Sequence, residues 1–414
     1  MRRLSWLLLL PALAGAADYA DYADLPPAGQ VEKALRAHPS VSAAEAGVRV
    51  EEANRDKLRA GPHEFTLKLS GQQRRERPLE ASYREHEVAL DRAIRLPGKG
   101  AKDAALGAVG IEQARVSLGD ALHEAGRLLL GRWFEWRREA AAVQEWLAQV
   151  AVLRRQHEVV GKRVAAGDAA RLEELLSGAQ LAQAMAQLSQ ARERRERAEI
   201  ELAQQFPAIT LPADVAMGEP LPVVGSPESW RERILTHNHE LAVARAAALR
   251  GRLSAQRLDA ERLPDPTLGL RLGSERDGQE RIVGLQLTIP LPGAARAATA
   301  RAGLAEADAA TARESLVLAK AETEARRTYS LAHGAYGQWQ RLADVAARMD
   351  ENVRLLDKAW RLGEGQFAEL QTARRQASEA RLAATQARLE ASEARYRLLL
   401  DAHELWPLDA DHHD

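Results

Sequence analysis

No cysteine occurs in the 414 residues, which excludes disulfide staples, thiolate metal sites, cysteine nucleophiles and lipid attachment through an N-terminal cysteine. Any metal site would have to be built from histidine and carboxylate. An excess of one charge is also missing: 58 Lys+Arg stand against 59 Asp+Glu, a net charge of -1. Nothing in that balance suits the neutralisation of phosphates, so no nucleic-acid partner is expected. Aromatic residues make up only 4% of the chain and charged residues 28%. The remainder is rich in Ala and Leu, a composition of long helices whose small side chains let backbones approach.

Long apolar runs are absent after the N-terminus. No later stretch approaches the roughly 20 residues of a spanning helix, so a membrane crossing would need strands of about 9 to 11 residues each. The N-terminus reads as an export signal over residues 1–16: Arg2 and Arg3, the apolar run Leu4 to Leu13, then the small residues Ala14-Gly15-Ala16.

Proline is missing between Pro97 and Pro207 and again between Pro292 and Pro407. Each gap holds one plausible turn, at Ala165-Ala166-Gly167-Asp168 and at Gly363-Glu364-Gly365-Gln366, where glycine permits the backbone that ends a helix. Each tract therefore reads as a helical hairpin, over 98–206 with its tip near 165–168 and over 293–406 with its tip near 363–366. The first arm, if continuous, would be on the order of 100 Å long at 1.5 Å per residue.

An offset near 200 lays the second half on the first. Ala34-Leu35-Arg36-Ala37-His38 meets Ile234-Leu235-Thr236-His237-Asn238, Leu96-Pro97-Gly98 meets Leu291-Pro292-Gly293, and Arg163-Val164-Ala165-Ala166-Gly167 meets Arg361-Leu362-Gly363-Glu364-Gly365. Beyond each turn a 3,4,3,4 spacing recurs, in Leu172, Leu175, Ala179, Ala182 and Ala186 and in Leu370, Ala373, Ala377, Ala380 and Ala384, the spacing of a coiled-coil seam. The proline-containing regions carry alternation instead. Phe65, Leu67 and Leu69 alternate with Thr66 and Lys68, and Val283, Leu285, Leu287 and Ile289 with Gly284, Gln286 and Thr288. This period of two marks strands, expected over 64–71 and 86–96 across the loop Arg74-Arg75-Glu76-Arg77, and over 267–273 and 281–291 across Ser274 to Glu280. The expected organisation is a first repeat over 17–206, a linker over 207–227, a second repeat over 228–406 and a polar tail over 407–414. Isolated two-stranded hairpins leave unpaired edges, so several copies would have to close a barrel.

Two repeats of helix, strand hairpin and long helical hairpin behind an export signal, with the strand-to-helix phrases Ile94-Arg95-Leu96-Pro97-Gly98-Lys99 and Ile289-Pro290-Leu291-Pro292-Gly293, resemble the TolC-like outer membrane efflux family, most of all its cobalt-zinc-cadmium resistance branch. The resemblance covers essentially the whole chain after residue 16. It implies a mainly α fold with a small β part, assembled as a homotrimer. Three copies of four strands would make a twelve-stranded barrel in outer-membrane lipid, continued by a periplasmic α-helical barrel. It also implies passive conduction rather than catalysis, no cofactor, and two protein partners: a periplasmic adaptor and an inner-membrane pump of the resistance-nodulation-division type. The adaptor would meet the hairpin tips, here Arg163, Val164, Gly167 and Asp168 and their counterparts Arg361, Leu362, Gly365 and Gln366. Relatives narrow near the tips with acidic rings, but the corresponding positions here are Gln371 and Arg374, with the carboxylates Glu173, Glu174 and Glu369 close by as gate candidates.

Enzyme signatures are missing: Gly98-Lys99-Gly100 lacks the spacing of a phosphate loop, and there is no His-Glu-x-x-His or nucleophile elbow. His412 and His413 in the tail, and His237 and His239 at a helix start, are weak candidates for a divalent cation. Divalent heavy-metal cations are the cargo that the resemblance implies. Organic toxins or secreted proteins passing the same kind of channel, and a soluble periplasmic coiled-coil scaffold, are the alternatives.

Overall fold

A computed structural model of the chain describes residues 22–212 and 217–406. The expected signal over 1–16 and the tail with His412 and His413 lie outside the described residues. Among the described residues eight α-helices and four strands run in the order expected of a duplicated unit. The first copy has α1 (Ala28–Arg36), α2 (Pro39–Ala60), β1 (Phe65–Glu76), β2 (Ala81–Ala93), α3 (Lys99–Ala165) and α4 (Arg171–Gln205). The second repeats it with α5 (Pro227–Thr236), α6 (His239–Ala260), β3 (Thr267–Glu275), β4 (Glu280–Thr288), α7 (Ala294–Arg361) and α8 (Phe367–Asp401).

Local chemistry starts the short helices. Pro39 and Pro227 occupy first-turn positions, where a missing N–H costs nothing. The side chain of Asn238 accepts from Leu241 N at 2.7 Å and that of Ser226 from Ser229 N at 3.2 Å. The long arms are uninterrupted: α3 has 67 residues and α7 has 68, about 100 Å each at the standard rise. Their partners α4 and α8 have only 35 residues each, so each hairpin is one long and one short arm. The remaining length of α3 packs against α2 and α6, and that of α7 against α6 and α5.

The main core lies midway along α3. Leu129, Phe134 and Trp136 are almost completely buried there with Leu202, Phe206, Leu398 and Leu400. The stretch before α1 is tied in through Asp24, whose backbone oxygen accepts from Trp133 Nε1 at 2.9 Å and whose carboxylate accepts from the Tyr396 hydroxyl. At the edge of this core four histidines gather. The His403 ring lies 5.4 Å from His123, 5.2 Å from His237 and 4.8 Å from His239, centroid to centroid. Among the described residues no group of three or more His, Asp or Glu is arranged to hold a metal ion.

The strands form one antiparallel sheet in the order β1-β2-β3-β4, so the two repeats join where β2 pairs β3. The hairpins are longer at their tips than the alternation predicts. The expected loop Arg74 to Arg77 is strand up to Glu76, because polar pairs such as Gln72 with Glu85 and Gln73 with Ser82, each at 2.7 Å, continue the ladder where apolar residues stop. At the other end β2 stops at Ala93 and β4 at Thr288, short of the expected 96 and 291. Arg95 turns away to donate to Leu58 O and Arg59 O, Leu96 N donates to Asp265, and Pro290 and Pro292 have no N–H to offer a ladder.

Two further expectations are corrected. The tip equivalence is shifted by two residues: Gly167 (φ 81) matches Gly363 (φ 82), not Gly365. In both, the residue after the glycine closes the helix, Asp168 N donating to Arg163 O and Glu364 N to Ala359 O. The proposed seams are therefore out of register as well. Leu370, Ala373 and Ala377 are buried, but Leu172 is 64% and Leu175 60% exposed, and α4 instead buries Ser177, Ala184, Leu188 and Ala191. α4 carries two apolar stripes, and spacing alone does not say which one the chain itself covers.

Candidate functional site

The sheet segregates its side chains by face. In register across all four strands run the rows Leu67-Leu90-Leu270-Leu285 and Leu69-Val88-Leu272-Val283. All are exposed, Leu285 at 82% and Val283 at 75%. On the opposite face Lys68 pairs with Asp91 at 2.5 Å and Arg271 with Glu87 at 2.5 Å. An apolar face left bare beside an ion-paired face is the alternation of a strand between lipid and water. The outer edges of β1 and β4 have no partner strand among the described residues, and such edges demand one.

The junction beneath the sheet is clamped by a buried charge. Lys99, only 2% exposed, reaches Asp265 at 2.8 Å and Glu261 at 3.2 Å, and His63 Nε2 lies 3.0 Å from the same Asp265 carboxylate. Burial raises the Asp265 carboxyl, but hydrogen bonds from Lys99, Leu96 N and His63 outweigh it and hold the group at about 2. Gly98 takes a left-handed φ of 84 to start α3, whereas Gly293 before α7 is extended at φ -131. The two Leu-Pro-Gly phrases agree in sequence and differ in backbone.

At the far end the two tips touch. Val160, Trp360, Phe367 and Leu370 form a small buried cluster, with Val164 half-buried against it. Arg163 lies over the Trp360 ring at 5.0 Å and donates to Asp168 O at 3.3 Å. Asp168, Leu362 and Gln366 are exposed, Gly365 sits close against Ala359 and Trp360, and Arg361 pairs with Asp357 at 2.7 Å. Of the gate candidates, Glu369 is exposed on the first turn of α8, and Glu173 and Glu174 are half-buried on that of α4. Gln371 is buried inside the protomer at 4% exposure, so its side chain faces no open space in this chain.

Arg374 belongs to an arrangement that the sequence reading missed. It pairs with Asp357 on α7 at 2.5 Å and also donates to Gln156 on α3. One heptad further from the tip, Arg381 pairs with Asp350 and donates to Gln149 at 3.3 Å. Two equivalent rungs thus tie α8 to both α7 and α3, lining a cleft of about 630 Å³. The signal was present: each of the three helices places its member at a seven-residue interval, as antiparallel packing requires.

No protein-family model and no curated protein sequence matches the chain. Solved structures do. The outer-membrane channel OprN superposes with a TM-score of 0.76 at 19% identity, over 90% of this chain and 89% of that one. A membrane protein from Pseudomonas aeruginosa gives 0.77 at 16%, over 90% and 89%. The Campylobacter jejuni CmeC outer membrane channel gives 0.73 at 12%, over 92% and 86%. No helix among the described residues is long and apolar enough to cross a membrane. The fold of this chain is that of the TolC-family outer-membrane channels.

Proposed function

We propose that the chain is one protomer of a homotrimeric outer-membrane channel, serving a tripartite efflux system as a passive conduit and not as an enzyme. The observation that carries this reading is the sheet. Its apolar rows are exposed, its other face is ion-paired and its two edges are open, so three copies closing a twelve-stranded barrel would pair the edges, and the surrounding lipid would cover the apolar rows. A soluble scaffold would leave those rows in water. The exposed stripe of α4, with Leu172, Leu175 and Met185, suits burial against a neighbouring copy in a periplasmic helical tube.

The tips are the proposed seat of the periplasmic adaptor, through Arg163, Val164, Gly167 and Asp168 and through Arg361, Leu362, Gly365 and Gln366; the pump behind it is proposed to be of the resistance-nodulation-division type. Asp168 makes the cleanest probe because Arg361 is engaged with Asp357. Asp168→Lys is expected to weaken adaptor binding with trimer content unchanged, which pull-down and native electrophoresis would read together. The Arg374 and Arg381 rungs are proposed to hold the periplasmic end closed, with Glu173, Glu174 and Glu369 supplying negative charge around it.

Divalent heavy-metal cations are the proposed cargo. Six carboxylates, Glu76, Glu85, Glu87, Asp91, Glu275 and Glu280, stand on the inner face of the sheet, and rings of such groups favour cations. The test is membrane fractionation followed by conductance in planar bilayers. Outer-membrane location with cation-selective channel steps supports the reading, metal sensitivity of a deletion strain then separates metal from organic cargo, and a soluble protein without conductance overturns it.

A further inference from the structure

The inward face holds every carboxylate of the four strands, and the outward positions hold none. The outward positions nevertheless carry four arginines: Arg75, Arg84, Arg92 and Arg281. Arg92 sits at the helix-proximal end, over the Phe65 ring and donating to His63 O. The other three are at the opposite end, beyond the Leu69-Val88-Leu272-Val283 row and towards the hairpin tips. Arg281 shares the next outward row with His86 and Ser274, Arg84 lies opposite Gln73 in the row after it, and Arg75 lies opposite Ser82 in the row beyond that. All three are exposed, and no carboxylate among the described residues is within ion-pair distance of them. The basic groups of the inner face, Lys68, Arg74 and Arg271, are by contrast all paired.

Closing the barrel would not satisfy them. A neighbouring β1 laid against β4 presents outward only Phe65, Leu67, Leu69, Gly71, Gln73 and Arg75, so any register that keeps the apolar rows together brings more positive charge and no negative charge. Three exposed guanidinium groups just past the last apolar row are therefore free to meet an anion from outside the protein; the carboxylate beside them, Asp277, is engaged with Arg84 N at 2.8 Å. If the apolar rows face hydrocarbon, the three groups lie beyond the last of them, on the side of the headgroups. All three are arginines, whose planar fork meets phosphate oxygens in pairs and is less strongly hydrated than an ammonium.

Resting on the barrel reading above, we infer that Arg75, Arg84 and Arg281 form a binding site for the anionic phosphate monoesters of lipids in the leaflet at the hairpin-tip end, repeated on each protomer around the barrel. Near an anionic surface each basic side chain contributes roughly fivefold in affinity, so the three together are worth on the order of a hundredfold. The site would anchor the barrel at one depth.

The test uses purified full-length protein reconstituted into phosphatidylcholine vesicles and into phosphatidylcholine vesicles containing lipid A, with lipid retained after detergent extraction counted by native mass spectrometry. The wild type is expected to retain lipid A over phosphatidylcholine, and the preference to weaken in high salt. Arg75→Gln, Arg84→Gln and Arg281→Gln combined should lower that retention on the order of a hundredfold while channel conductance persists, and Arg74→Gln on the inner face should leave it unchanged. Conducting protein without a lipid A preference, or a triple variant that keeps the preference, overturns the site and leaves the channel standing. Protein that enters neither vesicle overturns both.

Discussion

The left-handed φ of Gly98 and the extended φ of Gly293 turn a repeated Leu-Pro-Gly into a matched pair of experiments. A side chain at φ 84 carries a steric cost that one at -131 does not. Neither glycine has a neighbour within 4 Å of where a Cβ would stand, so backbone conformation alone separates them. Gly98→Ala is expected to destabilise the protein by about 1–2 kcal/mol and Gly293→Ala to be close to neutral, as thermal unfolding would show. Equal effects would mean that the two junctions share one conformation. Histidine chemistry gives a second residue-scale prediction. Burial, assisted by Arg127, His403, His239 and Arg397, pushes His123 from its ordinary 6.5 down to about 2. An unfolded chain takes up a proton there below about pH 6.5 and the folded chain refuses it, so stability is present above that value and is lost as the pH falls. Asp265 acts in the same direction but lower, from 3.8 towards about 2. Unfolding midpoints between about pH 7 and pH 4.5 therefore report His123 before Asp265 contributes. His123→Leu should flatten that slope; an unchanged slope would place the proton elsewhere in the cluster, whose rings are flanked by Asp401 and its partners Arg127 and Arg397.

At the scale of elements, the gate proposed for the rungs on α8 should be loosened without touching the tips. Asp357→Asn removes the charge that Arg374 and Arg361 share, and Asp350→Asn does the same for Arg381. The first is expected to cost about 1–3 kcal/mol in stability, the second, whose pair is more exposed, at most about 1 kcal/mol, and both to raise mean single-channel conductance. Glu351→Gln, paired with Arg354 on the same helix, should do neither. No change in conductance from both aspartate variants would detach the rungs from gating. How much of this was legible in sequence differs by element for physical reasons. The long arms and the duplication were readable because a proline-free tract with regular apolar spacing has few other ways to fold. The tips were readable only to within two residues, since Gly363 and Gly365 both permit a turn and only the backbone shows that Gly363 takes the positive φ. The strand ends past Gly71 were hidden because polar cross-strand pairs hold them, and alternation of apolar residues does not detect those. The rungs were hidden in plain view, since a charge on a highly charged helix reads as a solvated face until the opposing helix is in place.

For the whole molecule, the decisive property is how much a single chain leaves uncovered among the described residues. It leaves Leu67, Leu285 and Val283 bare, two strand edges open and an apolar stripe along α4. Such a protomer should be stable only as an assembly, so its melting should depend on protein concentration in detergent. Which face meets lipid can be decided by two adjacent residues. Leu285 and Gln286 are neighbours on β4 whose side chains point to opposite faces. Arginine at the outward position in a bilayer costs about 2–4 kcal/mol per strand near the midplane, whereas lumen positions tune selectivity instead. Leu285→Arg, placed three times around a trimer, is therefore expected to abolish membrane assembly. Gln286→Arg should assemble normally and shift the channel away from cations, because it adds positive charge to the wall that carries Asp91 and Glu87. Measured by membrane fractionation and by reversal potentials in a salt gradient, the reverse result would turn the barrel inside out, and two equally harmless substitutions would remove the sheet from the membrane altogether.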